Sequence, residues 1–545
     1  MQREDYPIPN FVRPRIKLLN GEWDYEILSL TGEVTSCGQA TLPYELGSIR
    51  SGCPLDGSER IVRYTHTFDL NASECLGTTL LNFIAVSYTA DIRLNGVPVC
   101  VNVGNMHSMH FDVTQLVKEG KNVIELIASR ENENVPLGIL GDVWLEFSAK
   151  TYFTAVRSYG SLMDKTIYLQ GALSGETEGY KVKLEIAYNK KQVATYEYKA
   201  NPILNLGAAL KTQTVYLWQI NEPRIYEIRL SLYNAGGGLC DQIYTYCAFR
   251  DIDLVEGKLY VNGRPTFIRA IESRGTYPYS GATPLDSKTI AQDYATLLML
   301  GFNAIHFKGR YPTPKELYLA DKLGIAVRAE FTDNKRNLND QREFEVFAGE
   351  IQAVINRDFG HPSILFWVPF SEFNGNPILQ SGTYTHLKNF DPTRVIVGSS
   401  GGALYKTDVY EFIPEESSAP CIEDYLIHRH NGMALSEKED HKRRKANPDL
   451  LTANELYQKP FYVGRIIAGN LRANDHYSEC RYVNSFAEQV DFIMSSGAIG
   501  FTLSRLYDNG DEKSGLLNEN RDFKISREGI AKIRAINKRK AFSEQ

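Results

Sequence analysis

The residues best suited to chemistry in this chain are polar groups that follow short apolar runs. In "HPSILFWVPFSEFNG", His361 to Gly375, the run ends in Ser371 and Glu372. Such a run reads as a buried strand, and its far end must emerge in a loop at the surface. Comparable runs lead to Glu272, to His306 and Lys308, to Glu330 with Asp333, and to Glu423 with Asp424. Arg465 ends a later run, and Arg505 with Asp508 ends the last. Carboxylates gathered at one place can divide general acid and general base work between them. Each acid also has a plain reading as a salt-bridge partner of Lys308, Arg310, Arg328 or Arg465, because a buried carboxylate is costly unless paired. Taken as a group they favour a site for a polar ligand. No phosphate-binding glycine loop, HExxH pair or nucleophile elbow occurs. No ligand spacing supports a metal, and no cofactor is expected. His361 precedes Pro362 at the opposite end of its strand and reads as a capping or core histidine.

The elements that must carry these residues alternate strand and helix. "PTFIRAI", "NAIHFK", "IAVRAEF", "SILFWVPF", "RVIVGSS", "CIEDY", "PFYVGR" and "AIGFTLS" are eight strand candidates. Between them Ile290, Tyr294, Leu297 and Leu298 share one helical face. Thr313 caps a second helix, with Pro314 in its first turn and Gly324 at its end. A long helix is predicted from about Gln341 to Asp358. Eight βα units in residues 253–545 fit a (β/α)8 TIM barrel, whose chemistry sits at the carboxyl ends of the strands.

Residues 1–252 read as all-β, divided near residue 150 into a jelly-roll sandwich (1–150) and an immunoglobulin-like sandwich (151–252). Short alternating segments such as "VRYTHTFDL" and "NVIELIAS" recur in the first, and "KVKLEIAYN" and "IYEIRLSLYN" in the second. The Asn95-Gly96 pair predicts a type I′ hairpin, which needs positive φ at both centres.

A net charge of -6 argues against nucleic acid or an acidic membrane as partner. No run of 18 or more apolar residues suggests a transmembrane helix. The amino-terminal segment lacks the apolar core of a secretory signal, so a cytoplasmic location is expected. The eight cysteines form no CxxC pair and read as buried free thiols.

The chain resembles glycoside hydrolase family 2, the family of β-galactosidases, β-glucuronidases and β-mannosidases. "FVRPRIKLLNGEWDYEI" and "VSYTADIRLNGVPV" look like that family's jelly-roll domain, and "INEPRIYEIRLSLYN" with "YCAFRDI" like its immunoglobulin-like domain. "LYVNGRPTFIRAI", "LGFNAIHFKGRYPTPKELYLADKLGI", "NRDFGHPSILFWVPFSE" and "DPTRVIV" look like its barrel. The resemblance implies a retaining mechanism with glutamates on the fourth and seventh strands, about 5–5.5 Å apart. It assigns the acid/base role to Glu372. The asparagine that precedes that glutamate in the family, and usually holds the sugar 2-hydroxyl, is Ser371 here. On the seventh strand, "KPFYVGRIIAGN" places Gly464 at the family's serine and Arg465 at its nucleophilic glutamate. A guanidinium stays protonated and is no nucleophile. Trp367 is the one tryptophan of the barrel.

Two readings of function follow. In the first, a carbohydrate-active enzyme cleaves a glycoside or sugar-acid substrate by an altered route, inverting or substrate-assisted. Glu372 is its acid, and Glu272, Glu330, Glu423 or Asp424 its second carboxylate. Ser371, Arg465, His306, Lys308, Asp333, Trp367, Arg505 and Asp508 would bind substrate, with Arg465 suited to an anionic group. In the second, the chain is an inactive carbohydrate-binding or scaffolding homologue. A homo-oligomer is compatible with both.

Overall fold

The computed structural model describes residues 2–541 apart from 132–134, 211–213, 332–336, 374, 415–441, 443, 446–448 and 511. Strands that alternate apolar and polar side chains bury one face, and the first part of the chain packs such faces in pairs. A six-stranded antiparallel sheet runs in the order Val34–Leu42, Gly21–Leu28, Ile61–Leu70, Gly120–Ser129, Thr89–Leu94, Val97–Val103. A four-stranded sheet accompanies it, ordered Ile16–Leu18, Val143–Ser148, Thr78–Phe83, Met109–Asp112. Trp23, Tyr64, Ile92 and Leu126 of the larger sheet share one core with Leu81, Phe83 and Leu145 of the smaller. The predicted hairpin is present, with φ of 52° at Asn95 and 80° at Gly96.

The next sheets have three strands (Tyr152–Ser161, Thr166–Ser174, Ile203–Ala209) and four (Lys191–Lys199, Lys181–Tyr188, Tyr226–Tyr233, Leu239–Cys247). Their facing residues, among them Leu169, Leu184, Ile228 and Ile243, form a second core. Arg13 ties the two sandwiches together, with its guanidinium on Glu146 of one and on Asp241 of the other.

The remainder is an eight-stranded parallel sheet with helices outside it. Its strands are β1 (Ile268–Ser273), β2 (Ala304–Phe307), β3 (Ala326–Glu330), β4 (Ile364–Val368), β5 (Val395–Ile396), β6 (Tyr410–Phe412), β7 (Phe461–Ile466) and β8 (Gly500–Leu503). Their order is β5-β4-β3-β2-β1-β8-β7-β6. The circuit closes at Asp408, whose backbone N–H donates to Ile396 O at 2.9 Å while its carboxylate accepts from Ile396 N at 2.8 Å. The helices are α1 (Ser287–Met299), α2 (Pro314–Leu323), α3 (Gln341–Asp358), α4 (Pro377–Phe390), α5 (Ala453–Tyr457), α6 (His476–Ser495) and α7 (Arg527–Asn537). Thr313 caps α2 in a capping box with Glu316, and Gly324 ends it in a left-handed backbone, as its sequence predicts.

Two expectations change. The sixth strand is Tyr410–Phe412, paired with β7; "CIEDY", Cys421 to Tyr425, lies outside the described residues. The described cysteines are free thiols, but only Cys53 and Cys247 are buried, and Cys37 is exposed. A three-residue strand and single thiols leave too little local pattern to read either feature from sequence.

His361 sits at the amino end of β4, wholly buried. Its Nδ1 lies 2.7 Å from Asp321 Oδ2, which also accepts the Tyr246 hydroxyl at 2.6 Å. This network clamps the second sandwich to the barrel, and it bears out the reading of His361 as a core residue.

Candidate active site

Among the described residues, the carboxyl ends of the strands carry most of the polar residues singled out by sequence, and these form two walls. On the β2–β4 wall, Glu330 is fully buried. Its carboxylate is 3.0 Å from His306 Nε2 and accepts the Gly309 N–H at 3.3 Å. Burial pushes Glu330 above the ordinary carboxylate range; Lys308, Gly309 and Ser371 act in the other direction. Burial, then the charge of Arg328, pushes His306 down to about 3, so its imidazole is neutral beside Glu330. Glu372 follows on a short extension of β4, Ser371–Phe373, which pairs with residues 400–402 beyond β5. Its backbone is left-handed, with φ of 50°, a conformation that non-glycine residues seldom adopt. The Glu372 side chain is 68% exposed, with Oε1 4.0 Å from Lys308 Nζ. Lys308 therefore stands between an exposed and a buried carboxylate.

Within the barrel, Arg328 of β3 reaches Glu411 of β6 at 2.6 Å, and both side chains are 0% exposed. Ser400 Oγ also donates to Glu411 at 3.1 Å. The Arg328 guanidinium lies over the Tyr462 ring, 4.1 Å from its centroid. A Cβ on Gly464 would collide with the Glu411 carboxylate. Glycine at that point of β7 makes room for the acid from β6.

The other wall is built by β7, β8 and β1. Glu272, 1% exposed, has Oε1 2.9 Å from Arg274 Nε and 3.4 Å from Arg505 Nη2. Ser504 Oγ donates to its other oxygen at 3.2 Å. Arg505 also pairs with Glu512, and Arg274 Nη2 lies 3.8 Å from the same Glu512 oxygen. Glu512, in the loop after β8, remains 54% exposed. Burial pushes its carboxyl up, but the Arg505 hydrogen bond and the charges of Arg505, Arg274 and Arg465 prevail and hold it below the ordinary range. Arg465, half-buried at the end of β7, has its Nε buried without a hydrogen-bond partner among the described residues.

Of the remaining candidates, Trp367 packs in the layer between barrel and helices and donates from Nε1 to Asp391 at 2.9 Å. Asp508 is buried against Lys524 Nζ at 2.8 and 2.9 Å and accepts the Gly515 N–H. Both are placed as packing and anchoring residues. Asp333, Glu423 and Asp424 lie outside the described residues. Sequence reasoning missed Glu411, Glu512 and Arg274. Glu411 stands in "VYEF", too short a run to flag as a strand, and Glu512 lies eight or more residues beyond any strand signal. Arg274 was within reach, since it is two residues after Glu272. Among the described residues no group of three or more His, Cys, Asp or Glu is placed to hold a metal ion. No helix of the described residues is long and apolar enough to cross a membrane.

Two β-sandwiches leading into a (β/α)8 barrel, with acids and cations ringing its carboxyl face, define the architecture of a multidomain glycoside hydrolase. Residues 252–462 match the family model for the glycosyl hydrolases family 2 TIM barrel domain. Residues 58–135 match the model for the glycosyl hydrolase 2 galactose-binding domain-like region. The chain belongs to glycoside hydrolase family 2. Solved structures share the fold over nearly the whole chain. A β-glucuronidase from an uncultured Clostridium sp. is 17% identical, with 96% of this chain and 98% of that chain covered and a TM-score of 0.76. A GH2 β-galacturonidase from Eisenbergiella tayi bound to galacturonate is 19% identical, with 97% and 98% covered and a TM-score of 0.74. A β-glucuronidase from Ruminococcus gnavus in complex with D-glucuronic acid is 15% identical, with 98% and 99% covered and a TM-score of 0.78.

Proposed function

We propose that this chain cleaves a glycoside of an acidic sugar, with Glu372 as proton donor and without the family's seventh-strand nucleophile. The observation that carries this reading is the cationic rim: Lys308, Arg274, Arg465 and Arg505 gather at the mouth that also presents Glu372. A planar guanidinium matches a carboxylate bidentately. Arg465, at the position matched to the family's nucleophile, has an unpartnered buried Nε among the described residues and suits that role. The structural neighbours described with galacturonate and glucuronic acid support the same substrate class. Glu372 is exposed enough to reach a glycosidic oxygen, and Ser371 beside it would offer a hydroxyl to the sugar.

The test is a panel of p-nitrophenyl and methyl β-uronides beside the neutral glucoside and galactoside. Turnover of uronides in preference to neutral sugars is expected. Glu372→Gln should lose on the order of 10²–10⁴-fold in kcat. The loss should be greater for the methyl uronide, because p-nitrophenolate departs without a proton. Equal rates for wild type and Glu372→Gln would sink the assignment.

A second reading, a sugar-binding homologue without catalysis, draws on the sealed state of Glu272, Glu330 and Glu411, each buried against a cation or a histidine. Uronate binding with no turnover of any glycoside would establish it in place of the first.

A further inference from the structure

The carboxylates nominated from sequence as partners for Glu372 do not stand free at the mouth. Glu272 is clasped by Arg274, Arg505 and Ser504, and Glu330 is enclosed with His306. Neither has the exposure to touch a water molecule attacking a sugar. One other carboxylate on the arginine wall does. Glu512 is 54% exposed and is approached by Arg505 from β8 and Arg274 from β1.

We infer that Glu512 is the second catalytic carboxylate, the general base that activates water opposite Glu372. The inference rests on the function proposed above and gives that reaction its missing partner.

Three features of the fold carry it. The first is delivery. Asn509 and Glu512 exchange both backbone hydrogen bonds, at 3.2 and 3.1 Å, so the loop after β8 presents Glu512 from a closed turn. Asp508 fastens the base of that turn through Lys524, and Lys524 Nζ also donates to Lys513 O at 2.9 Å. Asp508, nominated as a binding residue by its position at a strand end, is thereby a positioning residue for Glu512. The second is charge. The arginines beside Glu512 favour its ionised form, which a base must hold before it takes a proton, and at the same time they lower its affinity for that proton. The third is topology. In the strand order, β8 lies diametrically across from β4, whereas β7 is one strand nearer on the side of β5 and β6. The loop that carries Glu512 and the extension that carries Glu372 therefore rise from opposite sides of the strand circuit. An inverting pair needs its carboxyl groups about 6.5–9.5 Å apart, with water admitted between them.

The reaction balances in one displacement. Water attacks the anomeric carbon as Glu512 takes one of its protons. The bond from that carbon to the glycosidic oxygen breaks, its electron pair stays on the oxygen, and Glu372 protonates that oxygen. Solvent then returns a proton to Glu372 and removes one from Glu512. Arg465 is left free of covalent duty and holds the sugar's carboxylate.

The experiment follows the full-length protein on the p-nitrophenyl and methyl β-uronides, with proton NMR of the first-formed anomer. Inverted configuration is expected. Glu512→Gln should fall on the order of 10²–10⁴-fold in kcat for both leaving groups alike, unlike Glu372→Gln, because the base acts on water in either case. Glu519→Gln, on the same loop and paired with Lys513 among the described residues, should leave turnover unchanged. Retained configuration would overturn the inference. So would a Glu512→Gln variant with wild-type kcat and lower KM, which would mark Glu512 as a place-holder for the substrate carboxylate. Either result leaves uronide cleavage standing, whereas absence of wild-type turnover removes both proposals.

Discussion

Glu411 and Glu512 are both glutamates paired with an arginine, and the barrel uses them in opposite ways. Glu411 and Arg328 are sealed from water, roofed by the Tyr462 ring and fitted over Gly464. Glu512 meets Arg505 at the rim with half its side chain in solvent. A buried pair cannot release either partner, because an unpaired charge in the interior is costly, whereas a rim pair exchanges its partner for water or ligand at little cost. The same two residue types thus give a fixed structural joint in one place and an available base in the other, and exposure decides which.

The contrast can be broken most severely at the buried joint. Arg328→Met should destabilise the protein by about 3–5 kcal/mol, since it leaves the Glu411 carboxylate without its cation. Urea unfolding followed by tryptophan fluorescence would check it, and a loss near zero would show that water reaches Glu411. Next in size, Gly464→Ala should cost about 1–3 kcal/mol by pressing a methyl group on that carboxylate. Made in a Glu411→Ala background, where the carboxylate it strikes is gone, the same change should cost less than it does alone. At the rim, Glu512→Gln should change unfolding stability by about 1 kcal/mol, because the buried Arg505 keeps Glu272 as a partner, even as turnover collapses. Smallest is a pH effect. Because Glu512 is held below the ordinary glutamate value of about 4.3, its ionised form persists as pH falls and activity is lost only on passing the depressed value. Arg274→Met removes one of the charges responsible, so the acid limb of kcat/KM should move upward by a fraction of a pH unit. A downward or absent shift would separate Arg274 from Glu512.

Sequence alone determined the order of sandwiches and barrel, because alternation, the Asn95-Gly96 turn, the Thr313 cap and the Gly324 stop are local signals with local causes. It also determined that Glu272, Glu330, Ser371 and Glu372 end strands, since an apolar run must surface somewhere. Tertiary structure decided which of those ends is open to solvent. The outward phase of Trp367 depends on the one-residue alternation of β4, which a continuous apolar run conceals. The pairing of Arg328 with Glu411 spans 83 positions, and Arg505 meets Glu272 across an even longer stretch. Such contacts arise only when the barrel closes, because burial and long-range charge pairing belong to the assembled circuit of strands and not to any segment of it.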